Sequence, residues 1–241
     1  MEKKTIGIIG GMGPLATVDI FKKIVTNTCA QSDQEHIRIL IDNNTEIPDR
    51  TKAIMQNDKS PLPQLIKSAV SLWALGAQIL VIPCNTAHFF YSELQKNVEI
   101  PILNMIELTC KGLYDKKIKK AGLLATQGTV NSNIYQNILK KYDIDVVVPD
   151  ANGQRAITDL IYKGVKSGNK DYNTSNVKTV LDNMIKNGAQ ILILGCTELP
   201  VAMEMYNLNY PVCDPTLYLA RGAVIAAGYE CVKIEAEEKN V

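Results

Sequence analysis

Histidine is nearly missing: the 241 residues include only His36 and His88. The six cysteines, at positions 29, 84, 110, 196, 213 and 231, form no CxxC pair. Together these facts exclude zinc-type ligand spacing. A chain of this length needs no disulfide staples, so buried free thiols are the default expectation for all six. An excess of charge is also missing. Lys and Arg number 26 against 25 Asp and Glu, a net charge of +1. There is no basic field to draw nucleic acid. No apolar run reaches 18 residues, which excludes a transmembrane helix.

The opening MEKKTIGIIGGMGPLA carries the two lysines of a secretory leader. Its apolar stretch is broken early by Gly10, Gly11, Gly13 and Pro14. That pattern fits a short buried strand and a glycine-rich turn, and a cytoplasmic protein is expected. Hydrophobic residues make up 46% and charged residues 21%, which suits one large globular domain or two small ones.

The pattern alternates strand and helix. Thr5–Gly10, Ile37–Ile41, Gln78–Ile82, Ile100–Leu103, Ala121–Ala125, Ile144–Val148 and Ile191–Leu194 read as strands. Several are continuous apolar runs, as in parallel sheets buried on both faces. Helices are expected over 16–30, 61–76, 105–114, 130–142, 154–167 and 174–188, with others starting near Thr86 and at Pro215. The charged tail EAEEKNV, residues 235–241, is expected to fray.

An internal repeat is the most informative feature. Gly76 to Cys84 reads GAQILVIPC, and Gly188 to Cys196 reads GAQILILGC. KKTIGIIGG near residue 3 mirrors KKAGLLATQG near residue 119. Gly7 precedes Cys84 by 77 residues, and Gly122 precedes Cys196 by 74. Two similar flavodoxin-like α/β domains follow, related by a pseudo-twofold, with the active site in the cleft between them. The expected division is 1–104 plus 212–241 for the first and 105–211 for the second.

Open parallel sheets bind ligands beyond the carboxyl ends of their strands. Both repeat cysteines fall there, followed by polar Asn85-Thr86 and Thr197-Glu198. The bland alternative is a duplication in which cysteine fills a small buried slot, but a thiol before such polar pairs is a poor core filler. Two thiols on opposite faces of a substrate suit proton transfer at a stereocentre. One thiolate removes a proton and the other thiol returns one to the opposite face, so no cofactor is required. GGMG lacks the full GxGxxG of a dinucleotide loop, and Pro14 intrudes. A free thiol is about 3% thiolate at pH 7, and lowering its pKa to ~7 raises this to about half. The positive end of the helix after each cysteine is expected to help, and the N–H groups of Asn85 and Thr86 to hold a carboxylate.

The motifs IGIIGGMGP (6–14), NNxxIPDRT (43–51), PCNTAH (83–88), GLLATxGT (122–129), YxGVKxGN (162–169) and GCTE (195–198) span nearly the whole chain. Together they resemble the cofactor-independent aspartate/glutamate racemase superfamily. GGMGP with PDRT is similar to its aspartate racemase branch. The glutamate racemase branch instead carries DSG after the first strand and GCTH at the second cysteine. The resemblance implies Cys84 and Cys196 as the acid/base pair, with Cys196 acting on the L-enantiomer and Cys84 on the D-enantiomer. It also implies Arg50 and Lys166 at the substrate's side-chain carboxylate.

Arg50 stands out without the resemblance. Of four arginines it alone sits in a loop after a strand, and arginine is the preferred fork for a carboxylate. A solvated surface arginine is the alternative. Lys166 closes a helix, where a lysine also serves the dipole. Thr86, Thr126 and Thr129 are polar groups at strand ends. Glu198 is placed to orient Cys196 or a substrate ammonium, and Met12, Asn85 and Thr197 complete the expected substrate-binding set. His88 is either a helix-surface residue or a catalytic one. The expected partners are an amino-acid substrate and a second copy of the chain, with no metal, nucleic acid or membrane. Competing readings are a broad-specificity amino-acid racemase, a maleate isomerase or malonate decarboxylase of the same superfamily, and a small-molecule binding protein. The decarboxylases use one cysteine, and simple binding does not require a second thiol.

Overall fold

The computed structural model describes residues 2–233. The tail at 235–241 lies outside the described residues. In chain order the elements are β1 (Ile6–Gly10), α1 (Pro14–Asn27), β2 (Ile39–Asn43), α2 (Arg50–Met55), α3 (Pro61–Ala74), β3 (Ile79–Val81), α4 (Tyr91–Gln95) and α5 (Met105–Asp115). There follow β4 (Lys120–Ala125), α6 (Gln127–Asn131), α7 (Ile134–Lys141), β5 (Asp145–Val147), α8 (Ala151–Asp159), α9 (Ser175–Lys186), β6 (Ile191–Gly195), α10 (Leu199–Met205), β7 (Val212–Cys213) and α11 (Pro215–Ala226).

The described residues divide into two compact units, 2–108 with 216–233, and 109–215. The first holds a parallel sheet ordered β2-β1-β3. The expected strand at Ile100–Leu103 is reduced to a single parallel bridge, Leu80 to Ile102. The second holds a parallel sheet ordered β5-β4-β6-β7. Both units are thus parallel-sheet α/β structures, as the alternating pattern predicts.

The repeat has a physical cause at each position. Gly76 and Gly188 follow α3 and α9 at φ +98° and +91°, a left-handed turn that glycine makes without a Cβ penalty. The next residue, Ala77 or Ala189, packs against a mid-strand glycine, Gly7 or Gly122. A β-carbon on Gly7 would lie 2.7 Å from Leu80 Cδ2, and one on Gly122 would lie 2.6 Å from Leu192 Cδ2. The glutamines tie off the sheets. Thr5 N donates to Gln78 Oε1 at 3.0 Å, and Lys119 N donates to Gln190 Oε1 at 2.7 Å. Leu80 N and Leu192 N then donate to Pro101 O and Pro211 O, each at 2.9 Å.

Each unit builds its own core. Ile8, Ile20, Ile24, Leu219 and Val224 fill one side of the first sheet, and Leu65, Leu72, Leu80 and Phe90 the other. Leu124, Ile157, Leu181, Leu192 and Leu199 anchor the second. Each such side chain contributes roughly 1.5–3 kcal/mol on burial.

Several boundaries differ from the sequence reading; the helix expected over 130–142, for one, is split into α6 and α7. Val212–Cys213 pairs with β6, so the second unit runs to 215, and the first extends to 108 because Leu108 packs against Gly222. The first helix begins at Pro14, whose fixed φ suits a first turn. The helix expected from 154 begins at 151, because Asp150 Oδ1 accepts from Gly153 N at 2.7 Å. It passes into a π-helical turn over Leu160–Val165. Among the described residues no helix is long and apolar enough to cross a membrane.

Candidate active site

In the first unit the expected residues collect at the carboxyl ends of its strands. After β1 the chain turns through Gly11, Met12 and Gly13. A β-carbon on Gly11 would meet Asn44 O at 2.2 Å, so this turn lies against the loop that follows β2. Met12 is buried, and its carbonyl accepts from Arg50 Nη2 at 3.4 Å. Arg50 opens α2, whose cap is Asp49. Its Nη1 donates to Ile47 O at 3.2 Å and Pro48 O at 3.0 Å. The guanidinium is therefore held rigidly by three carbonyls. Its Nε is buried and meets no acceptor among the described residues. A buried charged donor left in this state is costly unless a ligand takes it.

Cys84 follows β3 and is 6% exposed, and Asn85 and Thr86 after it are also buried. The expected α-helix there is a 3₁₀ turn over Thr86–Phe90 that leads into α4. His88 is no surface residue. It is 5% exposed; its Nδ1 lies 2.9 Å from Cys84 O, and its Nε2 accepts from Met105 N at 3.0 Å. With Nε2 accepting, Nδ1 carries the proton and donates to the Cys84 carbonyl. Burial lowers the imidazole pKa to about 4. His88 is thus a neutral tether that pins the Cys84 backbone to the start of α5.

In the second unit β4 ends at Ala125, paired with Gly195. Thr126 caps α6 by accepting from Thr129 N at 3.4 Å, and the two threonine hydroxyls lie 3.2 Å apart. Both are buried. Gln154, which sequence reasoning missed, donates from Nε2 to Ala125 O at 2.8 Å and is itself 5% exposed. Its signal was a polar residue beside Gly153 and Ile157 on the buried stripe of α8.

Cys196 follows β6 and is 8% exposed. Its Sγ donates to Glu198 Oε2 at 2.9 Å, and Thr197 Oγ1 reaches the same oxygen at 3.3 Å. Lys166, just past the π-helical turn, pairs with Glu198 Oε1. Three donors therefore converge on one carboxylate. Burial, and after it the Glu198 carboxylate, push the Cys196 thiol well above its ordinary value. This corrects the expectation of a thiol lowered by the following helix: the nearest group to this sulfur is an anion. Burial works against the Lys166 ammonium, but the Glu198 charge outweighs it and raises its pKa. Cys29, Cys110, Cys213 and Cys231 form no disulfide. Among the described residues no three His, Cys, Asp or Glu side chains converge as metal ligands.

The profile of the Asp/Glu/Hydantoin racemase family matches residues 9–223. The chain belongs to that family of racemases. It is 30% identical over 224 residues to the broad specificity amino-acid racemase RacX of Bacillus subtilis, covering 91% of this chain and 96% of that one. Picrophilus torridus aspartate racemase is 34% identical with a TM-score of 0.82, and 98% of each chain is covered. An aspartate racemase homologue from Pyrococcus horikoshii is 25% identical with a TM-score of 0.75, covering 93% of this chain and 99% of that one.

Proposed function

We propose that this chain racemises aspartate without a cofactor, using Cys84 and Cys196 as its two acid/base groups. With L-aspartate, the Cys196 thiolate takes the α-proton while the Cys84 thiol delivers a proton to the opposite face. With D-aspartate the roles reverse. Each step moves one proton between sulfur and carbon, so side chains alone supply the acid and the base.

One observation carries this reading. A buried thiol stands four residues beyond Leu80 in one sheet and four beyond Leu192 in the other. Those leucines occupy equivalent register positions, each bonded to a proline carbonyl in the neighbouring segment. Two copies of one strand end thus present the same thiol, in a chain that belongs to a racemase family. The unsatisfied Nε of Arg50 supports a carboxylate-bearing side chain. Lys166 serves the same carboxylate, and Met12 steadies Arg50. Asn85, Thr86, Thr126, Thr129 and Thr197 are assigned to the α-amino and α-carboxylate groups.

The likeness to a broad specificity racemase favours a second reading, in which neutral amino acids are also turned over. Chiral chromatography on a panel of L-amino acids tests both. Formation of D-aspartate faster than any neutral D-amino acid supports the first. Comparable rates across the panel support the second, and no inversion of any amino acid contradicts both.

A further inference from the structure

We propose that Glu198 is the proton acceptor that activates Cys196, and that Lys166 controls when it acts. The inference rests on the racemase reading above. The Cys196 thiol points at Glu198 Oε2, not at a neutral acceptor, over 2.9 Å. The other carboxylate oxygen is occupied by Lys166. Glu198 is only 14% exposed and Lys166 is 35% exposed. The carboxylate is enclosed while its cation is open to an incoming anion.

Titratable groups from two elements meet at Glu198. Cys196 reaches it from the end of β6, and Lys166 from the segment after the π-helical turn. Tyr162, on that turn, lies under the Lys166 ammonium at 6.0 Å. While Lys166 is paired with Glu198 Oε1, the carboxylate is held by the ammonium, and the thiol reaches only its other oxygen. A substrate with a side-chain carboxylate competes for Lys166 and frees Glu198. The thiol S–H bond then breaks, an O–H bond forms on Glu198 Oε2, and Cys196 becomes the thiolate. The thiolate takes the α-proton and is again a thiol. Cys84, having given its proton to the opposite face, is left as thiolate, and the Glu198 proton returns to it through solvent water. A neutral amino acid leaves Lys166 on Glu198, so acidic substrates gain in kcat as well as in KM.

The test is the pH profile of L-to-D aspartate turnover in the wild type, Glu198→Gln and Glu198→Asp. Gln keeps the shape and one acceptor oxygen, puts an NH2 donor in place of the other oxygen, and is too weak a base to take a proton. Expected is a fall of about 10²–10⁴-fold at pH 7 in Glu198→Gln. Its activity should then climb about tenfold per pH unit on the alkaline side, as Cys196 ionises directly to solvent. Glu198→Asp should keep a profile of wild-type shape, and it decides the matter if Glu198→Gln does not fold. Activity of Glu198→Gln within threefold of wild type, or lowered by one constant factor at every pH, overturns the proposal. So does a Glu198→Asp profile that climbs as expected for Gln. A wild type that inverts no amino acid overturns the racemase reading and this inference with it, whereas an unaffected variant in an active enzyme overturns this inference alone.

Discussion

The Sγ of Cys196 donates to Glu198 Oε2 at 2.9 Å, so the resting form of this residue is the thiol. Burial and the adjacent carboxylate raise its pKa, which means less thiolate at neutral pH than an ordinary cysteine has. Alkylation of Cys196 by iodoacetamide, followed by peptide mass spectrometry, should be slow at pH 7. It should still rise about tenfold per pH unit beyond pH 9, where an unperturbed thiol levels off. A rate that plateaus near neutrality would show a depressed thiol and contradict the geometry.

Arg50 spends three hydrogen bonds on Ile47, Pro48 and Met12 and leaves Nε buried without an acceptor. If a substrate carboxylate meets that donor, Arg50→Ala should weaken aspartate turnover more than alanine turnover. A charged pair deprived of one partner typically loses about 2–5 kcal/mol. Steady-state kinetics on both substrates decide it. Equal losses on the two would assign Arg50 to the loop's architecture alone.

His88 gives a stability signature. Its pKa is lowered by burial to about 4 in the folded chain, against an ordinary value of 6.5. The unfolded chain therefore binds a proton at this site between pH 6.5 and about 4 while the native chain does not. Stability falls as pH drops through that window, by up to ~3 kcal/mol from this residue. Thermal unfolding of His88→Gln should show a shallower loss of Tm over the same window. Parallel curves for the two proteins would mean that His88 takes up its proton while folded.

Much of the fold was legible because its signals are short-range. The GAQIL repeats carry a left-handed glycine, an alanine against a strand glycine, and a glutamine that closes the strand edge. Each acts within a few residues or across one strand pair. Cys84 and Cys196 could be placed at strand ends for the same reason. What sequence left open depends on partners distant in the chain. Lys166 and Glu198 are 32 positions apart, and His88 and Met105 are 17 apart. A lysine at a helix end and a histidine after a strand read equally well as surface residues until their partners are known. The reversed thiol shift has the same origin. The helix after Cys196 is visible in the sequence, but which way the Glu198 side chain turns is not.

The central claim is that inversion needs both thiols, and the most direct measurement is racemisation by Cys84→Ala and Cys196→Ala, each alone, in D₂O. Removing a positioned acid or base costs roughly 10²–10⁴-fold. Each variant should therefore lose inversion by at least about 10²-fold. Any α-deuterium that still enters should do so with retention, from L-aspartate in Cys84→Ala and from D-aspartate in Cys196→Ala. If either single variant inverts aspartate at close to the wild-type rate, one thiol suffices and the two-base account is wrong.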